Sequence, residues 1–272
     1  MGKGLMKTSK LMEMIRTNPN AIAYIPNPSD ELKLLAVQQN GLTLKYIENP
    51  TPEMQKLALD NNSRAIQFIN NPTEDMMTKA INDSWVNLEY IESPTDPLIK
   101  LAINQAGWAI KYVQNPSEEL QLLAVRKNYD SIKFIQEPSE RVQEEAVKIS
   151  YDALRYIKSP TPQAELLAIK KNERAITFIN NLDKPKILEF LKTNSLVINY
   201  VMQKLSNSEL EQVLKEVLAR EDVDENYVRD FLNCSYIHQN SGLLPMDKVM
   251  FIYKYGSKKA KKIAVDEKLK ML

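Results

Sequence analysis

The sequence predicts an all-α fold: a right-handed α-solenoid of nine 22-residue helical-hairpin repeats followed by a C-terminal helical cap. Three observations carry this expectation. Prolines recur at positions 28, 50, 72, 94, 116, 138 and 160, always 22 residues apart. A serine or threonine follows every one of them: Ser29, Thr51, Thr73, Thr95, Ser117, Ser139 and Thr161. Between successive prolines, small and apolar residues return to the same slots.

With each proline counted as slot zero, the first element of a repeat starts at the Ser or Thr. Its side-chain oxygen can accept an N–H that the first helical turn leaves free. Pro52 and Pro162 then occupy the first helical position, where a missing N–H costs nothing. Asp30, Glu74, Glu118 and Glu119 lie beside the positive end of the helix dipole. Slot eight is Ala36, Ala58, Ala80, Ala102, Ala124, Ala146 and Ala168, which predicts a close helix approach at that point.

Four residues further on, Asn40, Asn62, Ser84, Asn128, Ser150 or Asn172 opens a second, shorter helix, and Ala106-Gly107 departs from this cap chemistry. Asn18-Pro19 repeats the cap near the start of the chain. Slot sixteen is Ile or Leu from Ile22 to Ile198, and slot nineteen is Ile or Val. Slot eighteen is always aromatic: Tyr24, Tyr46, Phe68, Tyr90, Tyr112, Phe134, Tyr156, Phe178 and Tyr200. A core repeats whereas a site varies, so this ladder is expected inside. Copies starting at Met6 and Leu182 keep the core slots without the proline, which gives nine repeats from 6 to about 203. No hairpin can bury its apolar face alone, so neighbours must stack. At roughly 8–10 Å per packed helix, nine copies give a curved rod on the order of 80 Å long.

The period stops after 203, which divides the chain into a helical-repeat solenoid at 1–203 and a helical cap at 204–272. "NSELEQVLKEVLARED" reads as an amphipathic helix capped by Asn207 or Ser208. Three more follow, in "NYVRDFLNCSYI", "PMDKVMFIYKYG" and "SKKAKKIAVDEKLKML", parted by a turn at 240–242 and by Gly256.

"ELKLLAVQQNGLTLKYI" (31–47) and "ELQLLAVRKNYDSIKFI" (119–135) resemble the bacterial and viral domain-of-unknown-function 4116 repeats. "SPTPQAELLAIKKN" is similar to leucine-rich variant repeats, which stack short helices into a superhelix. The likeness covers about 6–203. It implies a fold and an interaction role, with no catalytic residues to carry over.

Composition narrows the function. Lys and Arg number 36 against 35 Asp and Glu, so whole-chain charge gives no drive toward nucleic acid. The lone Cys234 excludes an internal disulfide and fits a reducing compartment. No apolar run approaches the roughly 18 residues a membrane helix needs, so no membrane role is expected. "MGKGLMKTSK" leads into no apolar signal stretch, and Met6 breaks the myristoylation pattern, so a cytoplasmic location is expected.

The six glycines form no phosphate-cradling loop, and no cofactor is expected. Cys234 and His238 could share a helix face as half a zinc site or a nucleophile–base pair. Zinc centres want three or four ligands, so the preferred reading is a helix end with a buried thiol, no metal and no catalysis. Asp222, Asp224 and Glu225 lack the glycine turn of a calcium loop and read as a solvated helix junction.

Departures from the repeat are the better guide to a site. If slots 15, 16, 18 and 19 face inward, slots 13, 17 and 20 face out. Slot thirteen holds Trp85, Tyr129 and Tyr151, and slot seventeen holds Lys111, Lys133 and Arg155. Aromatic rings interleaved with cations suit a protein interface or a single-strand platform, and these six are the expected partner-binding residues. Glu89 and Glu92 interrupt the positive strip and favour a protein of mixed charge. A second stripe, Arg126, Lys148, Lys170 and Lys192, complements helix C-termini. Residues 205–231 carry eight acids and three bases, and 254–272 carry seven lysines and two acids, so these segments are expected to pair. The reading that follows is a non-enzymatic scaffold binding a protein along one face. The Lys-, Asn- and Ile-rich wording fits an A/T-rich bacterium or a phage protein that blocks a host factor. The alternative is a nucleic-acid-binding repeat protein that uses the basic-aromatic strip.

Overall fold

Helix starts in the computed structural model fall where the sequence puts a side-chain oxygen. It describes residues 2–238 and 244–270, with side chains from Ser9 onward; the expected turn at 240–242 lies outside them. Ser29, Thr51, Thr73, Ser117, Ser139 and Thr161 each accept the N–H three residues on. Asp183 takes that role in the copy that lost its proline, whereas Thr95 makes no such bond.

The described residues form an all-α helical-repeat solenoid, divided into two compact units at 136/137. The first holds α1 (Gly2–Thr17), α2 (Asp30–Gln39), α3 (Pro52–Asn61), α4 (Glu74–Asp83), α5 (Asp96–Gln105) and α6 (Glu118–Lys127). The second holds α7 (Glu140–Ile149), α8 (Pro162–Lys171), α9 (Lys184–Thr193), α10 (Ile198–Val201), α11 (Asn207–Leu218), α12 (Glu225–Asn233), α13 (Lys248–Tyr255) and α14 (Lys258–Leu269). Within each unit consecutive first helices pack side by side, and so do the second elements.

The second element of each of the first eight repeats is a six-residue 3-10 helix, from Pro19–Tyr24 to Glu173–Phe178. At three residues per turn, side chains i and i+3 eclipse. Slots 16 and 19 therefore share one line, slots 15 and 18 a second, and slots 14 and 17 a third. The slot-sixteen residues are buried throughout, and slot fifteen is filled by small or polar buried residues such as Ala65, Asn87, Ala109 and Ser131. The slot-eight alanines are fully buried. A Cβ added to Gly41 or Gly107 would lie 2.3 Å from the carbonyl oxygen of Ala58 or Ala124, the slot-eight residue of the next repeat.

The aromatic ladder is where the expectation fails. Tyr24 is 87% exposed and Phe134 38%, Tyr46 and Tyr200 are also exposed, and the other rings are half-buried. A ring at slot eighteen stands over the small slot-fifteen side chain at the margin of the buried face. It covers the core edge without entering it.

The next repeat also supplies bonds, to the slot-thirteen N–H rather than to the slot-fourteen N–H that a side-chain cap takes. Ser84 and Ala106 give their 3-10 helices no side-chain cap. Gln105 Oε1 accepts the Trp85 N–H at 3.0 Å, while its Nε2 donates to the Ile81 carbonyl at the end of α4. Asn128 Oδ1 accepts the Gly107 N–H at 2.8 Å, so it bonds the preceding repeat and does not cap its own. Five asparagines just before the repeat boundary (Asn27, Asn49, Asn71, Asn115 and Asn181) adopt left-handed φ between 46° and 54°. Asparagine tolerates that region better than other side-chain-bearing residues.

Beyond 203 the period breaks but the packing continues. α11 packs on α9, and α12 packs on the 3-10 segment Ser195–Val197, so each arm of the stack gains one more element, here an α-helix. Tyr227 is buried and donates to the Leu191 carbonyl at 3.0 Å. The α11 cap is Ser206 rather than the expected Asn207 or Ser208, and Glu209 closes a capping box with it. The Lys184 ammonium and Ser206 hold the Glu209 carboxyl down to about 2.

Candidate functional site

Trp85 opens the 3-10 helix Trp85–Tyr90 and is half-buried, because its ring meets that of Tyr112 in the following repeat at 6.2 Å. Lys111, exposed at slot seventeen, holds its ammonium 4.4 Å from the Tyr112 centroid and 5.5 Å from Trp85. Among the described residues it has no carboxylate partner.

Next to it, Trp108 is 38% exposed, and its indole N–H donates to Asp130 Oδ1 at 2.8 Å. Asp130 Oδ2 meets the Lys133 ammonium at 3.1 Å. Lys133 in turn lies 5.8 Å from the Trp108 ring and 5.0 Å from Phe134. The 3-10 geometry explains the pairing, because slots 14 and 17 eclipse and Asp130 falls beneath Lys133. One carboxylate thus fixes an indole and an ammonium together. Tyr129 is half-buried and stands in none of these ring or cation contacts among the described residues.

The second unit repeats the chemistry. Tyr151 is half-buried and stacks on Phe178 with centroids 6.3 Å apart and planes 15° from parallel. The Arg155 guanidinium lies 4.7 Å from the Phe178 centroid and 3.4 Å from Asp152. Of the six residues expected from sequence, Trp85 and Lys111 meet in one cluster, Lys133 adjoins it, and Tyr151 and Arg155 share another. Sequence reasoning missed Trp108, Asp130, Asp152 and the slot-eighteen rings. The signal for Trp108, Asp130 and Asp152 was an aromatic or acid three residues before Lys111, Lys133 and Arg155.

The other candidates resolve into structural contacts. Lys148 pairs with Glu144 at 3.1 Å, Lys192 with Glu216 at 2.9 Å, and Lys170 reaches Asp224 at 3.7 Å. The segments 205–231 and 254–272 do pair, through α12 on α14, but Glu209, Glu216 and Asp224 bond lysines of the last repeats rather than the terminal lysines. Arg229 pairs with both Glu225 and Glu267. Asp224 caps α12 by accepting the Asn226 N–H, as a helix junction should. Cys234 is buried, with Sγ 3.3 Å from Asn199 Oδ1, and burial pushes its thiol up. Among the described residues no helix is long and apolar enough to cross a membrane.

No protein-family model, curated protein or solved structure matches this chain.

Proposed function

We propose that this protein is a non-enzymatic helical-repeat scaffold that binds a protein partner through its cation-and-ring clusters. The observation that carries the reading is Lys111, an exposed ammonium resting on two rings with no carboxylate partner among the described residues. It can offer its charge to a partner carboxylate. Trp108, locked by Asp130 next door, is a rigid aromatic anchor whose ordering cost is already met. Asp130 and Asp152 partly neutralise Lys133 and Arg155, and Glu89 is exposed in the neighbouring repeat, which favours a mixed-charge protein surface over a phosphate backbone. A phage or bacterial protein that sequesters a host factor would work this way, and the resemblance to domain-of-unknown-function 4116 repeats is compatible with it.

The test is affinity capture from the native host with the full chain and with Trp108→Ala/Lys111→Ala, followed by titration of the recovered partner. Loss of two anchors should weaken binding by about 2 kcal/mol or more. A labelled single-stranded oligonucleotide is titrated in parallel. Tight oligonucleotide binding that falls steeply with salt, or a partner indifferent to the variant, overturns the reading.

A further inference from the structure

At the far end of the second unit, no described residue covers an apolar groove between α13 and α14. Its walls are Val249, Ile252 and Tyr253 from α13, and Lys261, Ala264, Val265 and Lys268 from α14. The groove has a volume of about 100 Å³, and past Val249, Ala264 and Lys268 it adjoins a larger cavity of about 300 Å³ that reaches Leu232 and Met246. Tyr253 is 71% exposed and Val265 58%, and Met250 and Leu269 beside them are also well exposed. Single exposed apolar residues need no explanation, but several side by side along a groove mark a contact surface.

Charge says what the groove would accept. On α14, Lys261, Val265 and Lys268 stand at i, i+4 and i+7, so two ammonium groups bracket the apolar floor from one side. No acid lines the groove itself. The acids of the adjoining cavity are already engaged: Asp247 caps α13 through the Met250 N–H, and Glu267 bonds Arg229 and Lys270. Lys261 rests 5.8 Å from the Tyr253 centroid, and among the described residues neither Lys261 nor Lys268 has an ion-pair partner.

We infer that the α13–α14 groove is a second docking site, for an acidic amphipathic helix. Such a segment lays apolar side chains at i, i+3 or i+4, and i+7 into the groove and sets its carboxylates against Lys261 and Lys268. The concave, two-helix geometry suits a rod about 10 Å wide better than a flat lipid surface. This site is independent of the cation-and-ring clusters.

The experiment is selection of phage-displayed random peptides of about 16 residues, roughly four helical turns, on the full-length protein. The enriched peptides are then synthesised and titrated. The expected winners alternate leucine-like residues at helical spacing with Asp or Glu. Their affinity should fall about tenfold or more on Val265→Asp, and again on Lys261→Glu/Lys268→Glu, as for the loss of an anchor. Both substitutions fall on exposed side chains, and circular dichroism melts confirm the fold. Trp108→Ala should leave this binding unchanged, which separates failure here from failure of the partner-binding clusters. Three outcomes overturn the inference: winners without acids, affinity indifferent to both α14 variants, or no winners while the protein binds phosphatidylserine vesicles or self-associates through Val265.

Discussion

Slot eight and slot thirteen act as a pair at the residue scale. Gly107 lies so near the next repeat that a single added carbon would stand 2.3 Å from the Ala124 carbonyl oxygen. The obstacle is backbone in the middle of α6, which cannot swing aside as a flexible side chain could. Gly107→Ala should therefore cost about 1–3 kcal/mol, the range for overpacking a tight contact, and lower the urea midpoint without changing the slope. An unchanged midpoint would mean the repeats slide apart freely. The Gly107 N–H is taken by Asn128, a bond separate from the side-chain cap that Ala106 lacks, which would fall on Trp108. The same economy governs Asn61, whose amide accepts the Gly41 N–H at 2.7 Å and donates to the Gln38 carbonyl at 3.0 Å. One side chain thereby satisfies two backbone groups that helix ends leave open.

The repeat punctuation was legible at the element scale, while the twist of its second arm was not. Proline, serine and threonine spell out the first helix because capping is local chemistry, and the caps appear where the residues stand. The second arm is decided by tertiary packing: six residues held between an extended cap and an extended Ile or Val take three residues per turn. An α-helical wheel puts slot eighteen beside slot fifteen in the core, whereas the 3-10 wheel puts it above slot fifteen at the rim. That change alone turned the regular aromatic ladder from core to edge and brought Asp130 under Lys133. Strict repetition fooled the sequence reading because a rim position repeats as faithfully as a core position. Ile132 and Phe134 separate the two wheels experimentally. Ile132 is buried, so Ile132→Ala should cost about 2–5 kcal/mol. Phe134→Ala should cost clearly less, since a ring already partly in water forfeits less transfer energy when removed. Thermal melts of the two variants decide it, and a larger loss at Phe134 would restore the core assignment.

Each unit of the whole molecule is held together by neighbours in sequence. In 1–136 the first helices and the 3-10 helices each touch the next copy, and the buried side chains of repeats two to four form one cluster from Val37 to Ala80. The place where the repeat wording ends, near 203, is a different boundary from the division at 136/137. The first marks a change of sequence pattern, and α11 and α12 carry the packing across it. With contacts so local, stability approximates a sum of repeat terms and nearest-neighbour interfaces, and a defect should spread only as far as the interfaces transmit it. Ile66, fully buried within that cluster, is the place to introduce one. Ile66→Ala removes packing from repeat three and leaves the wording of every other repeat unchanged. Amide exchange followed by mass spectrometry should then show the greatest loss of protection in α3 and α4, with smaller losses in α2 and α5. By α6 the effect should be slight, because local opening draws on local contacts. Equal loss of protection from α2 through α6 would instead mean that this unit opens all at once, and that its repeats are coupled more tightly than nearest-neighbour packing allows.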